Sequence, residues 1–160
     1  MIKKICLDLG STDWTLLVDG KKCSLRDESC RLVFNYGRNK VIKVGDQSET
    51  EALLYSMIEE KDKRFFLPVL ESGVIKRNRC SISGHYVVMP KVNVMRWRST
   101  PPTSYEVRMA RCVVKKYYLN DVDITFRKGQ RPWNCTTTSE GKIVIYDYGL
   151  LFRGNPLGIE

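Results

Sequence analysis

Cys30-Arg-Leu-Val-Phe-Asn-Tyr-Gly-Arg-Asn-Lys-Val-Ile-Lys-Val-Gly-Asp-Gln-Ser-Glu-Thr-Glu51 decides how the first half of this chain folds. Cys30 to Tyr36 is β-prone, Gly37-Arg38-Asn39 is a turn, and Lys40 to Val44 places β-branched residues around Lys43. Two such runs across a short glycine-containing turn predict an antiparallel pair. Ser48-Glu49-Thr50-Glu51 fits a capping box, a hydroxyl at the cap and a carboxylate three residues on, so a helix is expected from Ser48. Leu53, Leu54, Met57 and Ile58 recur at helical spacing and give it one apolar face, and the charges of Glu59 to Arg64 end it.

Outward from this stretch the chain is easy to punctuate. Ile5 to Leu9 and Thr15 to Val18 read as strands, and Asp19-Gly20 as a hairpin turn, extending an antiparallel meander toward the start. Phe65 to Leu70, with Pro68 inside, reads as a loop leading into a strand, and Ser72-Gly73 as a turn. His85 to Pro90 is a strand stopped by proline, and Pro101-Pro102 breaks the chain. Thr103-Ser104-Tyr105-Glu106 is a second capping box. It opens a helix expected to reach Leu119, with Tyr105, Met109, Cys112 and Val113 inward and Arg108, Arg111 and Lys115 outward. After polar residues 120–141 comes one more strand, Lys142 to Tyr146, then Asp147-Tyr148-Gly149. Strands, one helix, strands, a break, one helix and a last strand make an α+β pattern and not a doubly wound one. The parts are 1–92, rich in strands, and 93–160, within one compact unit.

Composition narrows the function classes. The 160 residues are 42% hydrophobic and 28% charged, values of a globular protein and not of a disordered one. No apolar run approaches the roughly 18 residues of a membrane span, and the start breaks its apolar run at Asp8, so no membrane partner and a cytoplasmic location are expected. The net charge is +9, with 15 basic and 12 acidic residues in 1–90 but 12 and 6 in 91–160. The densest basic stretch, from Lys91 through Arg96, Arg98, Arg108 and Arg111 to Lys116, is able to attract phosphate or an acidic partner. Nucleic-acid binding has this charge behind it but no knuckle, aromatic or helix-turn-helix motif. Cys6, Cys23, Cys30, Cys80, Cys112 and Cys135 lack metal-clamp spacing, and His85 is the only histidine; the cysteines read as buried free thiols.

A phosphate-and-metal site needs a cation for nucleotide phosphates, a carboxylate to hold that cation, and oxygen ligands for magnesium. Lys43, Glu51, Asn134 and Asp147 supply these in that chain order. The order resembles the protein kinases. Val41-Ile42-Lys43 is similar to that family's third-strand lysine motif, Asp147-Tyr148-Gly149 to its Asp-Phe-Gly motif, and Asn134 to the metal-binding asparagine of its catalytic loop. Tyr86-Val87-Val88-Met89-Pro90 is similar to the last strand and hinge of its N-terminal lobe. The likeness, over residues 25–152, is strongest to small divergent bacteriophage kinase-like domains, in which an Asn-Lys-Val-Ile-Lys-Val-Gly run carries the lysine. It implies an antiparallel N-lobe sheet with one helix and a reduced C-terminal lobe. It also implies ATP and magnesium as cofactors, with Lys43, Glu51, Asn134 and Asp147 binding nucleotide and Asn134 and Asp147 holding the metal.

The departures from the family shape the functional expectation. The general base of the catalytic loop stands five residues before the asparagine, and here that residue is Gly129. Asp121 and Asp123 lie nearby, Asp123 being the residual candidate for a base. The glycine-rich loop is replaced by Arg26-Asp27-Glu28-Ser29, whose two acids oppose phosphates, so weak or no nucleotide binding stands as the alternative to ATP with magnesium; eleven residues follow Gly149, so no activation segment is expected. The resemblance thus points to a catalytically degenerate, kinase-like, phage-encoded protein that binds and modulates a host protein. Arg96, Trp97, Arg98 and Arg108 are its candidate partner surface, with Trp97 either exposed between the arginines or a buried anchor of the linker. Two alternatives stand beside it: an active minimal Ser/Thr kinase using ATP and magnesium, and a basic nucleic-acid-binding module. Leu7-Asp8-Leu9-Gly10-Ser11-Thr12 also resembles the first phosphate loop of the actin and sugar-kinase superfamily. The chain is short for that fold, and a plain strand turn with Gly10 at positive φ reads the same residues.

Overall fold

Gly37 takes φ +65°, the left-handed conformation that glycine adopts without cost, and turns the chain between the two strands read first in the sequence. In the computed structural model, which describes residues 1–10, 12–28, 31–75, 84–119 and 130–148, those strands are Leu32–Tyr36 and Lys40–Val44. The strands in chain order are β1 (Ile5–Leu9), β2 (Trp14–Val18), β3 (Lys21–Cys23), β4 (Leu25–Asp27), β5 (Leu32–Tyr36), β6 (Lys40–Val44), β7 (Glu71–Ile75), β8 (Gly84–Pro90), β9 (Cys135–Thr137) and β10 (Ile143–Ile145). Helices are α1 (Asp46–Met57), a 3-10 turn over Glu60–Phe65, the short α2 (Arg96–Ser99) and α3 (Ser104–Lys116). The architecture is mixed α+β, and all the paired strands are antiparallel among the described residues. The chain divides into two compact units, 1–52 with 69–91 and 53–68 with 92–160.

The first unit contains two sheets. Five strands run in the order β4-β5-β6-β8-β7, and β1-β2-β3 form a smaller meander. Asp19 and Gly20, at φ +49° and +81°, make the two-residue turn between β2 and β3. The two sheets share one apolar core: Leu7, Leu16, Val18 and Cys23 of the meander with Phe34, Ile42, Val44, Ile75, Tyr86 and Val88 of the larger sheet. Phe34 faces Ile42 in register, so this set lies on one face of the larger sheet. Val33 faces Lys43, which assigns Val33 and Lys43 to the opposite face.

Several sequence expectations change here. Ser72-Gly73 is not a turn but the middle of β7, paired with Val87 and Tyr86. Glycine is required at 73 because a Cβ there meets the Tyr86 ring at 2.8 Å, and Tyr86 is buried. Gly10 does close the β1–β2 turn, its amide donating to the Asp13 carbonyl at 2.9 Å, but its φ is not positive; a Cβ at Gly10 comes to 3.3 Å from that oxygen. Strands β3 and β4 were not expected, nor was β9, whose Thr136 and Thr137 are buried inside a stretch read as polar. Their hydroxyls donate to the carbonyls of Asn93 and Thr100, at 2.8 and 2.7 Å, which satisfies them away from water.

In the second unit β9 and β10 form a hairpin, α3 packs on β10 and on the 3-10 turn, and α2 packs on β9. Thr103 caps α3 as expected, accepting from the Glu106 amide at 3.2 Å. The inward face is nevertheless rotated by about one residue: Glu106, Ala110, Val113 and Val114 are buried, while Tyr105 and Cys112 are exposed. The Glu106 carboxylate is the cause. It pairs with Arg64 at 2.8 Å and accepts from the Ile143 amide at 3.1 Å, which draws its side of the helix inward. The helix also stops at Lys116, short of Leu119. Of the cysteines, Cys23 and Cys135 are buried, Cys6 is half-buried and Cys112 exposed, all as free thiols; burial pushes the Cys135 thiol up to about 12. Cys30 and Cys80 lie outside the described residues.

Lys116 belongs to no free basic surface. Its ammonium lies 2.6 Å from both Asp62 and Glu59, and the Tyr117 hydroxyl donates to the same Asp62 oxygen at 2.8 Å. Burial works to raise the Asp62 carboxyl, but the bonds from Lys116 and Tyr117 prevail and hold it below the usual aspartate range. A depressed carboxyl stabilises the fold above its unfolded value and loses that contribution as pH falls through its folded value. The melting temperatures of the wild type and Asp62→Asn are therefore expected to differ at neutral pH and to converge in acid below the ordinary aspartate range.

Candidate functional site

Lys43 reaches its position because β6 is buried on both faces, and a buried ammonium must find a counter-charge. The counter-charge is Glu51, on α1 eight residues later, with Lys43 Nζ 3.3 Å from Glu51 Oε1. Glu51 is fully buried at 0% exposure, and Lys43 is at 7%. A second cation shares the carboxylate: Arg31 Nη2 lies 2.8 Å from Glu51 Oε2. Arg31 Nη1 donates to Ser48 Oγ at 3.4 Å, and Ser48 Oγ donates to the Lys43 carbonyl at 3.0 Å. A closed ring of contacts thus runs through Arg31, Glu51, Lys43 and Ser48.

This ring replaces the capping box expected at Ser48. Helix α1 starts two residues earlier, at Asp46, so Ser48 stands in its first turn and its hydroxyl serves the sheet. The Glu51 carboxylate turns to the cations because charged contacts in a buried site outweigh a bond to one helix-end amide.

In the second unit Asn134 and Asp147 flank the open end of the β9–β10 hairpin, away from its turn. Cys135 faces Ile145 in register, and one step further the Tyr146 amide donates to the Asn134 carbonyl at 2.9 Å. Asn134 takes φ +59°, a left-handed conformation that asparagine tolerates better than most residues. Asp147 follows Tyr146 directly and is half-buried. Behind it Tyr148 is fully buried, its hydroxyl donating to the Leu67 carbonyl at 2.8 Å and its ring edge-on to Phe66 at 5.3 Å. Hairpin pairing thus leaves Asn134 and Asp147 one residue apart across the open end, linked through the Tyr146 amide, and the ion pair brings together Lys43 and Glu51. Both carry the oxygen or cationic chemistry that magnesium or phosphate takes. No group of three or more His, Cys, Asp or Glu side chains is placed to hold a metal ion among the described residues.

The remaining candidates are scattered. Arg96, Trp97 and Arg98 lie on α2 and Arg108 on α3, where Arg108 sits over the Tyr105 ring at 5.6 Å. Trp97 is half-buried, neither exposed nor a buried anchor; the exposed tryptophan is Trp133, at 77%, next to Asn134. Gly129, Asp121 and Asp123 lie outside the described residues. Sequence reasoning missed Arg31, which stands just before β5 and reaches Glu51 across the turn at Gly45. No helix among the described residues is long and apolar enough to cross a membrane. Comparison with known protein families and with curated proteins finds no match.

Proposed function

We propose that this chain is a reduced protein-kinase-like protein that binds ATP with magnesium, has lost its general base, and acts by binding another protein, a host factor of the phage that encodes it. The observation that carries the reading is the buried Lys43–Glu51 pair, at 3.3 Å. Desolvating an ammonium and a carboxylate costs several kcal/mol per ion. An ordinary strand lysine avoids that cost by facing water, whereas a lysine aimed at phosphate needs the carboxylate to orient it. The five-stranded antiparallel sheet, with α1 between its third and fourth strands in chain order, supports the same reading. Asn134 and Asp147 offer an amide and a carboxylate, hard oxygen donors that fit magnesium. Bound magnesium would supply charge neutralisation at the phosphate oxygens. Arg98 and Arg108, both exposed, remain the partner residues proposed, now with Arg96 and Trp97 partly covered.

Gly129 in place of the catalytic aspartate predicts no phosphoryl transfer. Incubation with γ-labelled ATP, magnesium and an acceptor protein is expected to leave label at the level of the Asp147→Ala variant. Incorporation by the wild type that disappears in Asp147→Ala and in Asp123→Asn would instead establish an active minimal Ser/Thr kinase.

A further inference from the structure

The resemblance to kinases supplies a lysine and a carboxylate for the nucleotide; it supplies no arginine on that carboxylate. Arg31 is nevertheless the tighter of the two cations, at 2.8 Å against 3.3 Å for Lys43, and its side chain is 4% exposed. Its place follows from register. Arg31 directly precedes β5, whose Leu32 pairs with Val44 of β6, next to Gly45. There Arg31 lies beside Gly45, where a Cβ would come to 3.5 Å from the Arg31 Cβ, and Gly45 at φ +140° takes the chain from β6 into α1. From this point the guanidinium reaches two residues one turn apart on α1, Ser48 and Glu51. A planar guanidinium can hydrogen-bond Ser48 through one nitrogen while another sets its charge beside Glu51, which a single ammonium does less well. Ser48 in turn bonds the backbone of Lys43 itself.

We infer that Arg31 is a positioning residue, which fixes the first turns of α1 against the strand carrying Lys43 and so holds Glu51 and Lys43 paired before any nucleotide arrives. The segment Arg26-Asp27-Glu28-Ser29 contains no glycine to wrap phosphates, so order at the phosphate end has to be built in by side chains. Arg31 provides it. The effect on nucleotide rests on the ATP-binding reading above; the fixing of α1 does not.

Two measurements on Arg31→Met and Arg31→Lys separate these. Hydrogen exchange of the nucleotide-free protein is expected to be faster in α1 for Arg31→Met, with Arg31→Lys intermediate. Affinity for a fluorescent ATP analogue with magnesium is expected to fall about tenfold in Arg31→Met, within the range of coupling in one ion-pair network, and to be partly rescued by lysine. If Arg31→Met fails to fold, Arg31→Lys, which keeps a cation beside Glu51, carries both the exchange and the affinity measurement. Unchanged α1 exchange overturns the inference. Faster exchange with unchanged affinity reduces Arg31 to a structural role and overturns it as well. A wild type that binds no nucleotide overturns the ATP reading and the affinity effect together, while the exchange result still decides whether Arg31 fixes α1.

Discussion

Glu51→Met is expected to cost about 3–5 kcal/mol of stability, the loss typical of removing one partner from a buried ion pair. The carboxylate is fully buried and faces Arg31 at 2.8 Å and Lys43 at 3.3 Å, so methionine leaves two cations without it in a site closed to water. Domains of this size are stable by only about 5–15 kcal/mol, so the variant approaches the threshold of folding. Urea denaturation of both proteins measures the effect. The stranded charge, not lost packing, is the expected cause. The triple variant Arg31→Met, Lys43→Met, Glu51→Met, which removes every charge of the ring, should therefore be more stable than Glu51→Met alone, since buried ion pairs replaced by apolar residues are often neutral or better.

Tyr148→Ala is expected to cost about 3–5 kcal/mol, as for other large aromatic residues cut to alanine in a core. Tyr148 is fully buried, stacks edge-on with Phe66 at 5.3 Å, and donates to the Leu67 carbonyl at 2.8 Å. Tyr148→Phe isolates the hydroxyl and should cost about 1 kcal/mol, most of it the Leu67 carbonyl left without its donor. The two variants, compared by thermal denaturation, separate packing from hydrogen bonding. Asp147 gains from this anchor, because the residue that follows it cannot move without opening a cavity.

Much of the fold was legible because strands advertise themselves by β-branched runs and glycine turns. Gly37 and the Asp19-Gly20 pair turn where the sequence reads turns. Local chemistry failed where tertiary contacts overrode it. Ser72-Gly73 has turn composition but sits in a strand, since glycine there makes room for the Tyr86 ring. Thr136 and Thr137 look polar, yet their hydroxyls are satisfied by backbone carbonyls 43 and 37 residues away in sequence, which no local pattern reveals. Glu106 has the position of a capping-box carboxylate, but the partner it finds is Arg64.

The candidate site divides the same way. Lys43 and Glu51 were legible as a pair because their chain order carried the resemblance, although a capping box at Ser48 competed for Glu51. Arg31 was not, because its role arises from contacts made across the turn at Gly45, which local composition does not record. Trp97 was misjudged in exposure because flanking charge does not fix the burial of one aromatic residue.

The central claim, that Lys43, Glu51 and Asp147 serve nucleotide binding, is tested most directly by thermal stability with and without magnesium-ATP. Ligand at about 100 times its dissociation constant should stabilise the folded state by roughly 2.7 kcal/mol, a rise of roughly 5–10 °C for a chain of this length. The account predicts this rise in the wild type and its loss in Lys43→Met and Asp147→Ala. No rise in the wild type, or an equal rise in both variants, would contradict it.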